Sequence, residues 1–267
     1  MKTIAKGLKF PEGPAIDYRT GDLYATDAEV GIVVKIVKAK LERIVDTGGT
    51  PTGLAIFKNK LYIADSGVNG ILQYDFSKEK LEVYVENYKG EPFNGPNDLV
   101  FDAEGGLYFT TPLDSEKIPK GKIFYVNPRG KVELFSNKLY FPNGICLSKR
   151  GDTLLVAETH KQRIISFSLT GRNKGDSFTV LAELPGKPDG LCIDQRGNIY
   201  AALYGSGCII KLSQEGEVLE KLRVPGTRPT NIAFGGCNLS SLFITEVDGN
   251  QVLEESMNVR GYKLFFE

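Results

Sequence analysis

One short motif recurs six times along this chain and constrains the fold more than any other feature. Each copy is a proline, one polar residue, usually a glycine, then an apolar run. The copies are Phe10-Pro11-Glu12-Gly13, Thr50-Pro51-Thr52-Gly53, Gly95-Pro96-Asn97-Asp98, Phe141-Pro142-Asn143-Gly144, Lys187-Pro188-Asp189-Gly190 and Arg228-Pro229-Thr230-Asn231. Their prolines are 40, 45, 46, 46 and 41 residues apart. Repetition at this period marks a radial array of small sheets, with four strands to a unit.

Each repeat has the same interior. The apolar run after the proline, such as Leu54-Ala55-Ile56-Phe57, reads as a first strand. A turn rich in Gly, Asn, Asp or Lys follows, as at Arg196-Gly197-Asn198. A second strand of aromatic and β-branched residues comes next, as in Leu61-Tyr62-Ile63-Ala64-Asp65, and two more complete the unit. The expected fold is therefore all-β: a six-bladed β-propeller of four-stranded blades, one domain over residues 1–267. The sixth repeat lacks a fourth strand. Residues Thr3–Leu8 are expected to supply it and close the ring, removing an exposed edge. Its third strand is expected at Tyr262–Phe266, with Asp248–Arg260 as a loop.

Composition excludes several partners. The 33 basic and 33 acidic side chains balance, without a long block of like charge, so neither nucleic acid nor an anionic membrane is expected. No apolar run is long enough to span a bilayer. No apolar segment of a leader opens the sequence, so a cytoplasmic location is expected. The four cysteines show neither a CxxC pair nor zinc spacing and read as small buried hydrophobes. Oligomeric state is left open by the sequence.

In a propeller the first strands line a central channel, so the six polar residues after the prolines ring one end of it. In order they are Glu12, Thr52, Asn97, Asn143, Asp189 and Thr230. Two carboxylates in a poorly solvated channel repel each other, and a divalent cation relieves that repulsion. Oxygen donors from Glu12, Asn97, Asn143 and Asp189 suit calcium, magnesium or manganese, and zinc less well. Four protein ligands leave positions for water and substrate. Thr52 and Thr230 keep the proline frame without offering a strong ligand. The ends of the second strands return to the same face and nominate a surrounding rim: Thr26-Asp27, Asp65-Ser66, Thr111-Pro112, Thr159-His160, Tyr204-Gly205-Ser206 and Glu246. Strand alternation is expected to turn Asp98 away from the channel.

The runs PDGLCIDQRGNIYAA (from Pro188), FPEGPAIDYRTGDLYATD, GPNDLVFDAEGGLYFT, FPNGICLSKRGDTLLVAET and NIAFGGCNLSSLFIT resemble the senescence-marker-protein/gluconolactonase (regucalcin-like) family across essentially the whole chain. The resemblance implies a six-bladed propeller with one catalytic divalent metal in the channel, hydrolysing lactones of sugar acids. It places the family's three metal ligands on Glu12, Asn143 and Asp189. Asn97 falls on an asparagine that contacts substrate or completes the metal shell. In the similar calcium-dependent diisopropylfluorophosphatases the four corresponding side chains all bind the catalytic calcium. Regucalcin-like members carry a sugar-binding arginine two residues before that asparagine; here the place is Gly95, as in bacterial gluconolactonases.

On this reading the cation, most simply calcium, polarises the carbonyl of a small-molecule lactone or ester and Asp189 acts as general base. Asn97, Thr111, His160 and Tyr204 are the candidate substrate contacts. Three other readings compete: a calcium-dependent organophosphate hydrolase, a non-catalytic metal- or protein-binding propeller, and a metal-free strictosidine-synthase-like enzyme.

Overall fold

The apolar run after each proline forms the innermost strand of a four-stranded sheet. These inner strands are Pro11–Asp17, Pro51–Phe57, Leu99–Phe101, Pro142–Leu147, Lys187–Ile193 and Pro229–Gly235. The structure, a computed structural model, describes residues 1–113, 115–170, 175 and 177–263. Proline opens five of the strands or stands next to the opening residue, where the lost N–H breaks no ladder. Each sheet runs outward through antiparallel neighbours in sequence order.

Among the described residues the buried apolar side chains fall into six clusters, one between each pair of neighbouring sheets. The junction of blades 2 and 3, for example, packs Tyr62 and Ile71 against Phe101, Phe109 and Phe124. A last cluster joins blade 6 to blade 1 through Phe243, Val252, Ile16 and Val34. The sheets therefore close into a ring: a six-bladed β-propeller. Second strands are covered on both faces by neighbouring blades. This explains why Leu61-Tyr62-Ile63-Ala64 reads as a continuous apolar run rather than an alternating one. Outer strands face solvent and are guarded by charge, as in Val218–Arg223.

The ring closes as expected at the N-terminus. Lys2–Lys6 forms the outer strand of blade 6, antiparallel to Gln251–Ser256. The third strand of that blade differs from expectation. It is Gln251–Ser256, inside the stretch read as a loop, and Tyr262 and Lys263 lie outside any strand. Residues 264–266 of the expected strand lie outside the described residues. The physical reason is the turn Val247-Asp248-Gly249-Asn250, with Asn250 at φ 50, which reverses the chain directly after Glu246. Beyond Ser256 the chain crosses to blade 5, where the Tyr262 N–H donates to the Ile193 carbonyl (3.1 Å).

The two ring threonines fasten blades together. The Thr52 hydroxyl donates to the Asn97 carbonyl of blade 3 (2.7 Å), and the Thr230 hydroxyl to the Pro11 carbonyl of blade 1 (2.8 Å). Thr26, Thr110 and Thr159 do the same toward Thr52, Asn143 and Pro188, at 3.0, 2.8 and 2.7 Å. Five of the six junctions are thus tied at the channel by a hydroxyl. The described residues include no α-helix and no helix long and apolar enough to cross a membrane. All four cysteines are free.

Candidate active site

The inner strands carry an irregularity where chemistry needs it. In five of them the pairing with the second strand slips just after the proline, between Glu12 and Ala15, Pro51 and Leu54, Pro142 and Ile145, Pro188 and Leu191, and Pro229 and Ile232. Such a bulge breaks strict alternation and re-aims side chains. Two successive residues after the proline therefore meet the channel in those blades. Blade 3 has no slip within its shorter strand. Just ahead of it the Asn97 N–H donates to the Thr110 carbonyl (2.9 Å) and the Asp98 carbonyl accepts the Thr110 N–H (3.0 Å), so two residues oppose one and Asp98 faces inward rather than away.

The second of these positions is glycine in four blades because neighbouring backbones touch there. A Cβ on Gly13 would lie 2.1 Å from the Thr52 carbonyl oxygen, and one on Gly144 the same distance from that of Asp189. Blades 3 and 6 place Asp98 and Asn231 there instead. The sequence signal for both was present, as the two departures from glycine in the repeat.

The structure brings Glu12, Asp98, Asn143, Asp189 and Asn231 together, each less than a tenth exposed. Burial pushes the Glu12 carboxyl up to about 8; the Gly13 N–H opposes this and the Asp98 carboxyl adds to it. Burial likewise pushes Asp98 up to about 7, against hydrogen bonds from the backbone of Ile145 and Leu99. Those N–H groups donate to Asp98 Oδ2 and Oδ1 at 3.1 and 3.0 Å. Asp189 is held well above the usual carboxylate range by burial and by repulsion from Glu12 and Asp98, while the Asn143 side chain bonds its carboxyl and opposes the shift. Asn97 is half-buried; its N–H donates to the Thr110 carbonyl (2.9 Å) and its carbonyl holds Gly53 N–H (2.7 Å).

Glu12 and Asp189 are raised by neighbouring carboxyls, and backbone N–H groups and carboxamides oppose the shifts. Among the described residues no three His, Cys, Asp or Glu side chains form a metal-ligand group, and the candidate set draws half its donors from asparagine. The candidate donors, two carboxylates and two carboxamides, are all oxygen and fit a hard divalent cation. Beneath them the channel turns apolar, with a cavity of ≈110 Å³ whose lining includes Ile16, Leu54, Ile145, Cys192 and Tyr262.

The acids at the ends of the second strands do not join this cluster. Asp27 accepts from the N–H groups of Lys9 and Phe10 (2.8 and 3.1 Å), and Asp65 from those of Thr50, Gly67 and Val68 (2.7, 2.9 and 3.0 Å). Glu246 accepts from Arg228, Asp248 and Gly249 (3.3, 3.0 and 2.7 Å). They fasten the segment ahead of each proline. Thr111 is buried, its hydroxyl donating to the Lys122 carbonyl in its own sheet (3.4 Å). His160 is exposed on a single 3-10 turn, its ring 5.0 Å from that of Phe141. Its pKa is lowered by burial and by Lys187, against Glu116. Tyr204 is half-buried beside Arg228. Gly95 has φ 64 and a Cβ there would meet the Leu113 side chain at 2.3 Å, so this backbone has no room for an arginine.

Residues 10–248 match the SMP-30/Gluconolactonase/LRE-like region. The chain belongs to that family. Gluconolactonase of Zymomonas mobilis is 34% identical over 197 residues, covering 66% of this chain and 55% of that protein. The chain thus spans little over half of that relative's length. Diisopropyl-fluorophosphatase of Loligo vulgaris is 27% identical over 99% of this chain and 94% of its own. Among solved structures, a calcium-binding protein, regucalcin, of Agrobacterium tumefaciens superposes with a TM-score of 0.83 at 22% identity, over 99% of this chain and 100% of that one. At that identity the likeness speaks for the propeller fold.

Proposed function

We propose that this member of the family is a divalent-metal-dependent lactonase, with Glu12, Asn143 and Asp189 holding the cation and Asn97 completing its shell or orienting the substrate. The carrying observation is the cluster itself: Glu12, Asp98 and Asp189 buried within electrostatic reach of each other in one channel. The metal fits calcium best, since every candidate donor is oxygen. When bound, it supplies Lewis-acid polarisation of the lactone carbonyl.

The chain's own residues do the rest. Asp189 takes a proton from water as the new C–O bond forms and returns it to the ring oxygen as the acyl C–O bond breaks, leaving a hydroxy acid. The Asn143 side chain stands beside the Asp189 carboxyl and favours its charged form. Asn97, half-exposed in the ring, presents its carboxamide to the substrate side. His160 and Tyr204 form rim contacts; Thr111, buried in its sheet, has no part in this proposal. With Gly95 where an arginine would stand, the substrate is a lactone recognised without a guanidinium from blade 3.

The near full-length match to a diisopropyl-fluorophosphatase favours one second reading, the same residues acting on a phosphoryl centre. A panel of lactones, aryl esters and diisopropyl fluorophosphate, assayed with added calcium, separates the two. Fastest turnover on lactones supports the first, and on the organophosphate the second. A calcium-loaded protein inactive on the whole panel removes both.

A further inference from the structure

Exposed large apolar side chains gather in two places among the described residues. Val83, Val180, Val218 and Leu219 stand on outer strands, where the propeller meets solvent all round. Val30, Val68, Leu113 and Ile118 stand in the turns that follow second strands. Those turns share a face with the polar ring, because second strands end opposite the prolines, at Pro11 with Asp27, Pro51 with Asp65 and Pro142 with Glu158.

On that face one set of contacts runs from blade 2 to blade 4. Val68 is followed by Asn69, whose carboxamide oxygen accepts the Gly95 N–H (3.0 Å). The Asn94 side-chain N–H donates to the Leu113 carbonyl (2.8 Å), and a Cβ on Gly95 would lie 2.3 Å from Leu113 Cγ, so the Leu113 side chain covers Gly95. Two residues on, the Ser115 hydroxyl accepts the Phe141 N–H (3.0 Å). Gly95 and Phe141 stand directly ahead of Pro96-Asn97 and Pro142-Asn143, so these contacts adjoin the ring's two carboxamides.

Phe141 is held there against its own preference. Of the six residues ahead of the repeat's prolines, Gly95 and Phe141 have positive φ, 64 and 52. Glycine adopts that backbone freely and phenylalanine does not. Strain of this kind gathers at ligand sites. Phe141 is half-buried, Val68 is 39% and Leu113 38% exposed, and none of the three joins the six apolar clusters between blades. Core packing therefore does not account for them. Blades 5 and 6 carry Lys187 and Arg228 at the place of Gly95 and Phe141, so the mouth is apolar on one side only.

We propose that Val68, Leu113 and Phe141 form an apolar wall that takes an alkyl or aryl substituent of the lactone, making apolar-substituted lactones the preferred substrates over polyhydroxylated ones. The inference rests on the lactonase reading above. An apolar substituent laid on this wall removes apolar surface from water on both partners. A sugar's hydroxyls laid there lose water and gain no partner, since the Gly95 N–H and the Leu113 carbonyl are already bonded.

The test is turnover of γ-decalactone, γ-butyrolactone and galactono-γ-lactone by calcium-saturated protein. All three share one ring size and differ in the substituent: an alkyl chain, none, and hydroxylated carbons. Wild type is expected to favour γ-decalactone over each of the others by at least about tenfold in kcat/KM. Leu113→Ser is expected to remove most of that preference, chiefly through a higher KM for γ-decalactone, as when uniform binding is lost. Phe141→Asn is expected to act in the same direction. Asparagine accepts positive φ, so this variant decides the matter if Leu113→Ser does not fold. Val218→Ser, which alters an exposed apolar residue on an outer strand, is expected to keep the wild-type preference. Wild-type protein that turns over γ-butyrolactone or galactono-γ-lactone as well as γ-decalactone overturns the inference and leaves the lactonase reading standing. So does an unchanged preference in the folded variants. Turnover of none of the three overturns both.

Discussion

Two sets of buried acids occupy this propeller, and they differ in what surrounds them. Glu12, Asp98 and Asp189 face one another in the channel, each 7% exposed. Asp65, Glu158 and Glu246 end second strands a few residues away, each 0% exposed. The second set is the more deeply buried, yet it is well partnered. Glu158 pairs with Arg163 at 2.6 Å and accepts the Tyr140 N–H at 2.6 Å, while Asp65 and Glu246 each take three backbone N–H groups, those of Asp65 all on Oδ1 with its buried Oδ2 left without a partner. The first set has amides and a few N–H groups; Asp98 raises the pKa of Glu12, and both raise that of Asp189. Burial alone therefore does not mark the site. What marks it is charge that the protein leaves only partly compensated, which is where a cation and a reacting group can act.

The largest expected effect separates the sets by function. Asp189→Asn keeps the shape of the base and removes its proton-accepting role. It is expected to lower kcat on a lactone by about a hundredfold or more, with the circular dichroism spectrum unchanged. Wild-type kcat in that variant would take Asp189 out of the chemistry. Glu246→Ala is expected to do the reverse. Stranding the N–H groups of Arg228, Asp248 and Gly249 costs about 3 kcal/mol or more of stability, seen as a lower denaturant midpoint, while activity per folded molecule stays near wild type. Lost activity with unchanged stability would merge the two sets into one.

Smaller effects come from pH. Glu12 and Asp98 are raised to about 8 and about 7, and Asp189 is raised as well. Each binds its proton more tightly folded than unfolded. Their contribution to stability is therefore complete below the ordinary carboxylate pKa of about 4 and is lost as pH rises through about 7 to 8. The metal-free protein is expected to melt lower at pH 9 than at pH 6. Because calcium competes with those protons, its stabilising increment is expected to grow over the same window. Glu12→Gln should flatten both trends; a calcium increment independent of pH would show that these carboxyls do not bind it. The smallest effect is that of Thr26→Val, which unties the junction of blades 1 and 2. It is expected to cost about 1 kcal/mol in urea unfolding, with KM and kcat retained.

The ring of blades was legible because the proline motif repeats and proline positions are restricted at strand starts. The polar residue that follows gave Glu12, Asn143 and Asp189 directly, and the structure gathers them. Three things were hidden for identifiable reasons. Asp98 was expected to face away because alternation was carried back to the proline, whereas Asn97 and Asp98 both bond Thr110, and an irregularity of that kind leaves no simple mark in one sequence. Asn231 was not singled out, although its replacement of a repeated glycine was visible. The last blade's third strand, Gln251–Ser256, has Glu254, Glu255 and Ser256 on its outer half and so lacks the apolar run of its counterparts; its pairing with Lys2–Lys6 covers only part of it. The acids at the second-strand ends looked like rim ligands in sequence. Only the coordinates show that most of their oxygens are already committed, chiefly to backbone N–H groups.

The central claim is that the channel carboxyls hold a cation on which lactone hydrolysis depends. The most direct measurement is lactone turnover by the purified protein after exhaustive chelation and removal of the chelator, followed by titration with calcium. The account predicts that activity disappears and returns in proportion to calcium bound, to one equivalent, with a parallel rise in melting temperature. Full turnover in the chelated protein, with no response to added calcium, would contradict it.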